Sequence, residues 1–262
     1  MNILVTGANG YLGSHLVQTF KDHNVTVLTR DNNNKDFFST ISPDVIINTM
    51  CSYGRNNESI SQIYNSNFYE GVKLLEFAMS LDKPISFINC GSSLEKNTNL
   101  YSISKSHLVE FGQFISNDKL QFINMNLQHF YGPGAKNNFV SFVVSNCIAN
   151  NDLPLTAGTQ QRDFIYIDDV VSAFRVVIEK RNMLSNFENI DIGTGNSIPV
   201  KDVVLKVKEL SKSNANLMFG KVPLREHESI EMKANIDLIT KLGWSASIDL
   251  NNGLAKVIEE MR

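Results

Sequence analysis

The sequence predicts an α/β fold: a doubly wound parallel sheet with crossover helices. Three observations carry this reading. Short apolar runs alternate with amphipathic stretches along the chain, the pattern of parallel strands joined by helices. The chain opens on Ile3-Leu4-Val5, followed at once by the glycine turn Thr6-Gly7-Ala8-Asn9-Gly10-Tyr11-Leu12-Gly13. A later apolar run, 85–89, ends in Cys90-Gly91-Ser92-Ser93, which puts hydroxyls at a strand's carboxyl end, where open α/β sheets hold their ligands.

Taken in order, the predicted strands are 2–6, 25–29, 44–48, 85–89, 120–126 and 189–192. The predicted helices are 11–22, 59–81, 101–116, 139–150, 167–180 and 200–211. In the first turn Gly7 permits a tight bend, Gly10 lets backbone N–H groups approach a pyrophosphate, and Gly13 lets the helix pack closely on the sheet. Set between a strand and the helical run Ser14–Phe20, these glycines point to a Rossmann-type dinucleotide site. The second strand ends in Thr29-Arg30, where an acid would accept a bond from a ribose 2′-OH. A guanidinium instead matches a 2′-phosphate, so NADP is favoured over NAD. Arg30 could instead stack on adenine or be solvated, and Asp31 could take the ribose role. The Asn-rich stretch 31–35 reads as a solvated loop, and the short span from Arg30 to Asp44 implies an abbreviated outer edge.

Tyr101-Ser102-Ile103-Ser104-Lys105 places a phenol and an ammonium on one helix face. A neighbouring cation stabilises a phenolate and lowers a tyrosine's pKa, so Tyr101 could pass a proton to a carbonyl oxygen as hydride reaches its carbon. The alternative is a surface helix with an incidental pair.

Bulk properties exclude several function classes. A chain of 262 residues with formal net charge −3 and no basic run shows no nucleic-acid or anionic-membrane signature. No apolar run reaches the roughly 20 residues needed to span a bilayer, and the N-terminal apolar patch is too short for a signal peptide. Three cysteines, Cys51, Cys90 and Cys147, without metal-like spacing suggest reduced thiols in a cytoplasmic enzyme. The five histidines show no metal-ligand spacing, so no metal is expected.

The whole chain resembles the extended short-chain dehydrogenase/reductase family, of the NAD-dependent epimerase/dehydratase type, which acts on nucleotide sugars. Beyond the two motifs above, the resemblance rests on Asn126-Leu127-Gln128-His129-Phe130-Tyr131-Gly132-Pro133-Gly134, Arg162-Asp163-Phe164-Ile165-Tyr166-Ile167-Asp168-Asp169, Asn189–Gly195 and Leu242-Gly243-Trp244. It implies one unit over 1–262, in which a smaller, interleaved C-terminal substrate lobe covers the Rossmann sheet. The dinucleotide-binding lobe would be 1–128 plus about 160–195, and the substrate lobe about 129–159 plus 196–262. The ligand would lie between them.

The resemblance also implies site residues. Ser92, Tyr101 and Lys105 would be catalytic, with Ser93 as the alternative hydroxyl. Gly7, Asn9, Gly10, Tyr11, Leu12, Gly13, Arg30, Met50, Asn67, Tyr101 and Lys105 would bind the cofactor. Ser92, Ser93, His129, Asn138, Arg162 and Arg225 would bind the substrate, the arginines as diphosphate grips. Arg225, in Arg225-Glu226-His227-Glu228, could equally be an exposed ion-paired loop, and His129 a packed histidine.

Within the family, dehydratases carry Asp-Glu after the catalytic hydroxyl, where this chain has Ser93 and Leu94. The epimerising reductases carry a Cys and a His where Leu94 and Gly134 stand. What remains is plain reduction of the 4-ketone of a nucleotide-diphosphate keto-sugar. The resemblance is nearest to the branch reducing a CDP-linked 3,6-dideoxyhexose for bacterial O-antigen. The alternatives are a dTDP- or GDP-linked 4-keto-6-deoxyhexose, an epimerase, or a non-catalytic NADP-sensing protein. A homodimer is compatible with the resemblance.

Overall fold

The computed structural model describes all of residues 1–262 except Asn137, Glu226 and His227. The chain forms two compact units, Met1–Leu127 with Phe174–Ile190, and Gln128–Ala173 with Asp191–Arg262.

The main sheet contains β1 (Asn2–Thr6), β2 (Asn24–Leu28), β3 (Val45–Asn48), β4 (Ile85–Cys90), β5 (Leu120–Leu127) and β6 (Phe187–Ile192), in the order β6-β5-β4-β3-β1-β2. The pairs β1/β2, β1/β3, β3/β4 and β4/β5 are parallel. All four residues of β3 are buried, as expected of a strand covered on both faces. In the first unit α1 (Tyr11–Thr19), α2 (Lys35–Thr40), α3 (Ile60–Tyr64), α4 (Glu70–Ser80) and α5 (Leu100–Ile115) connect the strands.

Two features differ from the sequence expectation here. The Asn-rich loop is present over 31–34, but an unexpected helix, α2, follows it from Lys35, because the Asn34 side chain accepts from the Phe37 N–H at 3.0 Å and caps a helical turn. The long helix expected over 59–81 is broken by a π-helical turn, Asn65–Tyr69, between α3 and α4.

The core explains why α5 lies where it does. Leu74, Leu75 and Leu108 pack with Phe87 and Phe122. Phe87 stacks on Phe122 at 5.4 Å between centroids, and Phe122 on Phe187 at 6.1 Å. A Cβ on Gly112 would collide with the Phe122 ring, so the missing side chain lets α5 settle onto the sheet.

The second unit contains α6 (Phe139–Ile148), α8 (Val200–Ser211), α9 (Asp237–Lys241) and α10 (Leu250–Met261), while α7 (Ile167–Lys180) is shared in sequence between the units. The sequence reading did not include α10. Its residues Asn251, Asn252 and Gly253 are poor helix formers, but Asp249 caps it through the Asn252 N–H at 3.0 Å and Leu254, Val257 and Ile258 are buried. Two carboxylates of the 162–169 motif act as internal clamps. Asp163 accepts from Thr194 N–H (2.8 Å), Thr194 hydroxyl (2.7 Å), Gly195 N–H (3.0 Å) and Ala234 N–H (3.3 Å). Asp169 accepts from the N–H groups of Ser247 and Ile248, each at 3.0 Å, and from the Ser247 hydroxyl at 2.8 Å.

Candidate active site

The turn after β1 forms a cradle that side chains would fill. Gly7 has φ +66°, and a Cβ there would lie 2.6 Å from Thr49 Oγ1 and 3.2 Å from the Met50 nitrogen. A Cβ on Gly13 would collide with the Gly7 carbonyl, so the helix can approach only without one. Gly10, extended at the N-cap of α1, donates to the Gly7 carbonyl at 2.8 Å. Asn9 and Gly10 are exposed, Leu12 is buried, and half-buried Tyr11 meets His15 edge-on at 4.8 Å. No acid occupies the first turn of α1, so its positive end is uncompensated. Donors, positive potential and room for close approach suit a dinucleotide's pyrophosphate.

The remaining expected cofactor residues are placed as follows. Asn32 Oδ1 accepts from the Thr29 N–H (2.7 Å) and hydroxyl (3.2 Å), closing a turn that leaves Arg30 and Asp31 exposed. Met50 is half-buried beside Gly7, its N–H directed to Asn48 Oδ1 at 3.4 Å. Asn67, on the π-helical turn, is fully buried, and its amide is engaged within the protein. Its Oδ1 accepts from the Ser52 N–H at 2.7 Å, and its Nδ2 donates to the Ser52 carbonyl and the Ser104 hydroxyl, each at 2.9 Å. Its visible role is to tie the loop after β3 to α5.

Helix α5 begins in a capping box between Asn99 and Ser102, which sets Tyr101 and Lys105 on successive turns. Both are buried, at 9% and 2% exposure. The Ser92 hydroxyl lies near enough to the Tyr101 phenol to oppose the rise in its pKa, and it accepts from the Leu94 N–H at 3.2 Å. The Ser93 N–H donates to the Leu127 carbonyl at 3.2 Å. Of the two candidate hydroxyls, Ser92 is the one that acts on the Tyr101 phenol.

The expected lowering of the Tyr101 pKa by Lys105 is not what the protein alone produces. Burial pushes the phenol up, Cys51 and Cys90 add to the rise, and Ser92 and Arg55 only oppose it. Lys105 acts instead on Cys90, whose thiol burial pushes up to about 12 against the pull of that ammonium. For that thiol, desolvation by burial outweighs the nearby cation.

Two features escaped the sequence reading. Tyr53 stacks on Tyr101 at 4.8 Å with an interplanar angle of 30°, an aromatic pair worth ~0.5–1.5 kcal/mol beyond burial. The second is an amide ladder across the strands' carboxyl ends. Thr6 Oγ1 donates to Asn48 (3.0 Å), Asn48 to Asn89 (3.1 Å), Asn89 to Asn124 (2.8 Å), and Asn124 to Asn126 and Asn189 (both 2.7 Å). Its far end lies under Gly91, where a Cβ would sit 2.5 Å from Asn124 Oδ1, so the ladder also shapes the backbone that carries Ser92. The signal was present in three strands, where Asn48, Asn89 and Asn124 each follow an apolar run in β3, β4 and β5.

In the second unit, Arg162 is buried and pairs with Glu228 at 2.8 Å. Burial holds it below the ordinary guanidinium value, and Glu228 opposes that shift. His129 is enclosed with no partner for Nδ1; burial, and then Arg162, push its imidazole down to about 4. Asn138 caps α6, its side chain accepting from the Ser141 N–H at 2.8 Å. Arg225 is exposed beside residues outside the described set. Among the described residues no helix is long and apolar enough to cross a membrane, and no cluster of three or more His, Cys, Asp or Glu could hold a metal.

Comparison with known proteins agrees with this geometry. CDP-abequose synthase of Salmonella muenchen is 29% identical over 284 residues, covering 98% of this chain and 96% of that protein. The crystal structure of UDP-glucose 4-epimerase from Thermotoga maritima, with UDP-glucose, superposes with a TM-score of 0.84 at 20% identity, covering 99% and 98% of the two chains. MoeE5 in complex with UDP-glucuronic acid and NAD superposes with a TM-score of 0.83 at 20% identity over the same shares. The family profile described as NAD dependent epimerase/dehydratase matches residues 3–193. The chain belongs to the NAD dependent epimerase/dehydratase family.

Proposed function

We propose that this protein is an NADPH-dependent 4-ketoreductase of a nucleotide-linked deoxyhexose. The substrate is CDP-4-dehydro-3,6-dideoxy-D-glucose and the product CDP-abequose, made in the cytoplasm for O-antigen. The observation that carries the reading is the buried pair Tyr101 and Lys105 on successive turns of one helix, with Ser92 near enough to the phenol to lower its pKa. NADPH bound at the Gly7–Gly13 turn would supply the hydride. Tyr101 gives its proton to the ketone oxygen, so the C=O π bond is replaced by C–H and O–H bonds and a tyrosinate remains. Ser92 orients that oxygen, and Lys105 supplies the charge that a buried tyrosinate needs. Arg162 and Arg225 hold the diphosphate, and the unpartnered His129 Nδ1 is a polar atom that a ligand would satisfy. Arg30 at the end of β2 favours the 2′-phosphate.

Reduction without epimerisation is supported by two positions. Leu94 carries only carbon in its side chain, and Gly134, at φ +76°, has none. Neither can exchange protons at a ring carbon. The test is a panel of nucleotide 4-keto sugars, with and without the 3-hydroxyl, incubated with NADPH in D₂O and followed by NMR of the product. An alcohol at C4 with no carbon-bound deuterium at C3 or C5 is expected. Deuterium there, beyond that exchanged without enzyme, would refute a pure reductase.

A further inference from the structure

We propose that Arg55 is a positioning residue for the proton transfer: through the ring of Tyr53 it holds a positive charge near the Tyr101 phenol and stabilises the tyrosinate that forms there. This rests on the reductase reading above and deepens it, by adding a second cation to Lys105. Arg55 lies in the loop 49–59 after β3, and no signal in its immediate sequence marks it. Its guanidinium lies over the Tyr53 ring, 5.0 Å from the centroid. That ring also stacks on Tyr101, at 4.8 Å and 30°. The charge is therefore within two stacking distances of the Tyr101 ring.

The backbone that carries Arg55 is braced before any ligand arrives. Asn67 grips both backbone groups of Ser52 and ties them to Ser104 on the helix that carries Tyr101. Glu58 accepts from the Ser52 hydroxyl at 2.9 Å and from the Asn56 N–H at 2.6 Å, on either side of Arg55. Gly54, at φ +68°, lies so close to Ile63 that a Cβ would come within 2.8 Å of Ile63 Cδ1. A cation over an aromatic face is attracted by the ring's negative face, and the ring is held in turn by its neighbour. One stack thus fixes both the Tyr53 ring and the place of the charge.

The phenol needs such a charge. Around it stand Tyr53 and Cys51 from this loop, Cys90 and Ser92 from the end of β4 and the turn beyond it, and Lys105 one turn further along α5, whose ammonium acts on Cys90. Burial raises the proton affinity of the phenol most, the two thiols add to the rise, and Ser92 and Arg55 oppose it. Once the proton has passed from Tyr101 to the ketone oxygen, the negative charge left on the phenol oxygen meets the same balance. A guanidinium stays protonated at any working pH. At two stacking distances and an effective dielectric constant of about 20, a unit charge favours the tyrosinate by roughly 10-fold.

The experiment has two arms. In the cofactor-free protein a fluorotyrosine at position 101 brings the ionisation into an accessible pH range, and its absorbance is titrated with Arg55 intact, in Arg55→Lys and in Arg55→Gln. Loss of the cation disfavours the tyrosinate, so Arg55→Gln should raise the midpoint by about one pH unit. Arg55→Lys keeps a charge and should stay close to the parent. In the second arm the same Arg55 variants, with the native tyrosine, are assayed with NADPH and a CDP-4-keto-3,6-dideoxyhexose. Arg55→Gln should lower kcat by about 10-fold and move its alkaline limb upward with the phenol, while the KM for the sugar holds. An unshifted midpoint in Arg55→Gln would overturn this inference and leave the reductase reading standing. A raised KM at unchanged kcat would also overturn it, since Arg55 would then grip the substrate instead. A wild type inactive on 4-keto sugars would overturn the reductase reading, and this inference with it.

Discussion

The buried amide ladder can be tested by a double-mutant cycle at Asn89 and Asn124, replacing each with leucine, which is close in size. Asn89 is 0% and Asn124 1% exposed, so neither site can recruit bulk water. Asn124→Leu leaves the Asn89 Nδ2 without its acceptor. Asn89→Leu leaves the Asn124 Oδ1 without its donor and also strands the Asn48 Nδ2. A buried orphan of this kind costs ~1–3 kcal/mol. Each single variant should therefore lose about 2–4 kcal/mol, at the destabilising end of ordinary point mutations. In the double variant the two orphans facing one another disappear together, while the Asn48 amide stays stranded and the half-buried Asn126 and exposed Asn189 lose the Asn124 donor, as they do in the Asn124 single variant. The double loss should fall short of the sum of the singles by about 1–3 kcal/mol. Urea unfolding followed by circular dichroism measures this, provided that the slope m is unchanged across the set. Additivity within about 0.5 kcal/mol would show that the two amides do not share a hydrogen bond, and would refute the ladder.

Other expectations follow from the site. Tyr101→Phe should lower kcat by about 10²–10⁴-fold while the NADPH dissociation constant holds, because it removes a proton donor and little else; near wild-type turnover would move the donor elsewhere. Arg30→Ala should raise the Michaelis constant for NADPH far more than that for NADH, and an equal effect on both would remove Arg30 from cofactor choice. His129 has a folded pKa near 4, below the ordinary 6.5, so the unfolded chain binds the extra proton first as pH falls. Its contribution to stability is complete above about 6.5 and is lost progressively as pH drops toward about 4. His129→Gln should flatten the stability profile in that window, and an unchanged slope would mean that the imidazole is not held neutral.

Much of the site could be read from the sequence because its signals are local. A left-handed φ at Gly7 and a collision at Gly13 are requirements of a few adjacent residues, and glycine meets them visibly. Tyr101 and Lys105 share a helix face through i,i+4 spacing alone. Burial of β3 appears as the apolar run Val45-Ile46-Ile47, and that of β4 as Ile85, Phe87 and Ile88 within a short segment. Helix α10 was missed for the opposite reason: its propensities are poor, and packing of Leu254, Val257 and Ile258 with an Asp249 cap outweighs them.

By itself, then, the amino-acid order determined the α/β class, the family, the glycine cradle and the Tyr-Lys pair, all consequences of period, spacing and backbone sterics within a short window. Tertiary structure decided what depends on residues far apart in the chain. It set Ser92 near the Tyr101 phenol, since that follows from how the loop after β4 meets α5. It laid Tyr53 on Tyr101, and joined asparagines from β3, β4, β5 and β6 into one ladder. It also reversed the expected direction of the Tyr101 pKa, because a phenol's proton affinity depends on its desolvation as well as its charged neighbours, and burial is set by the fold as a whole.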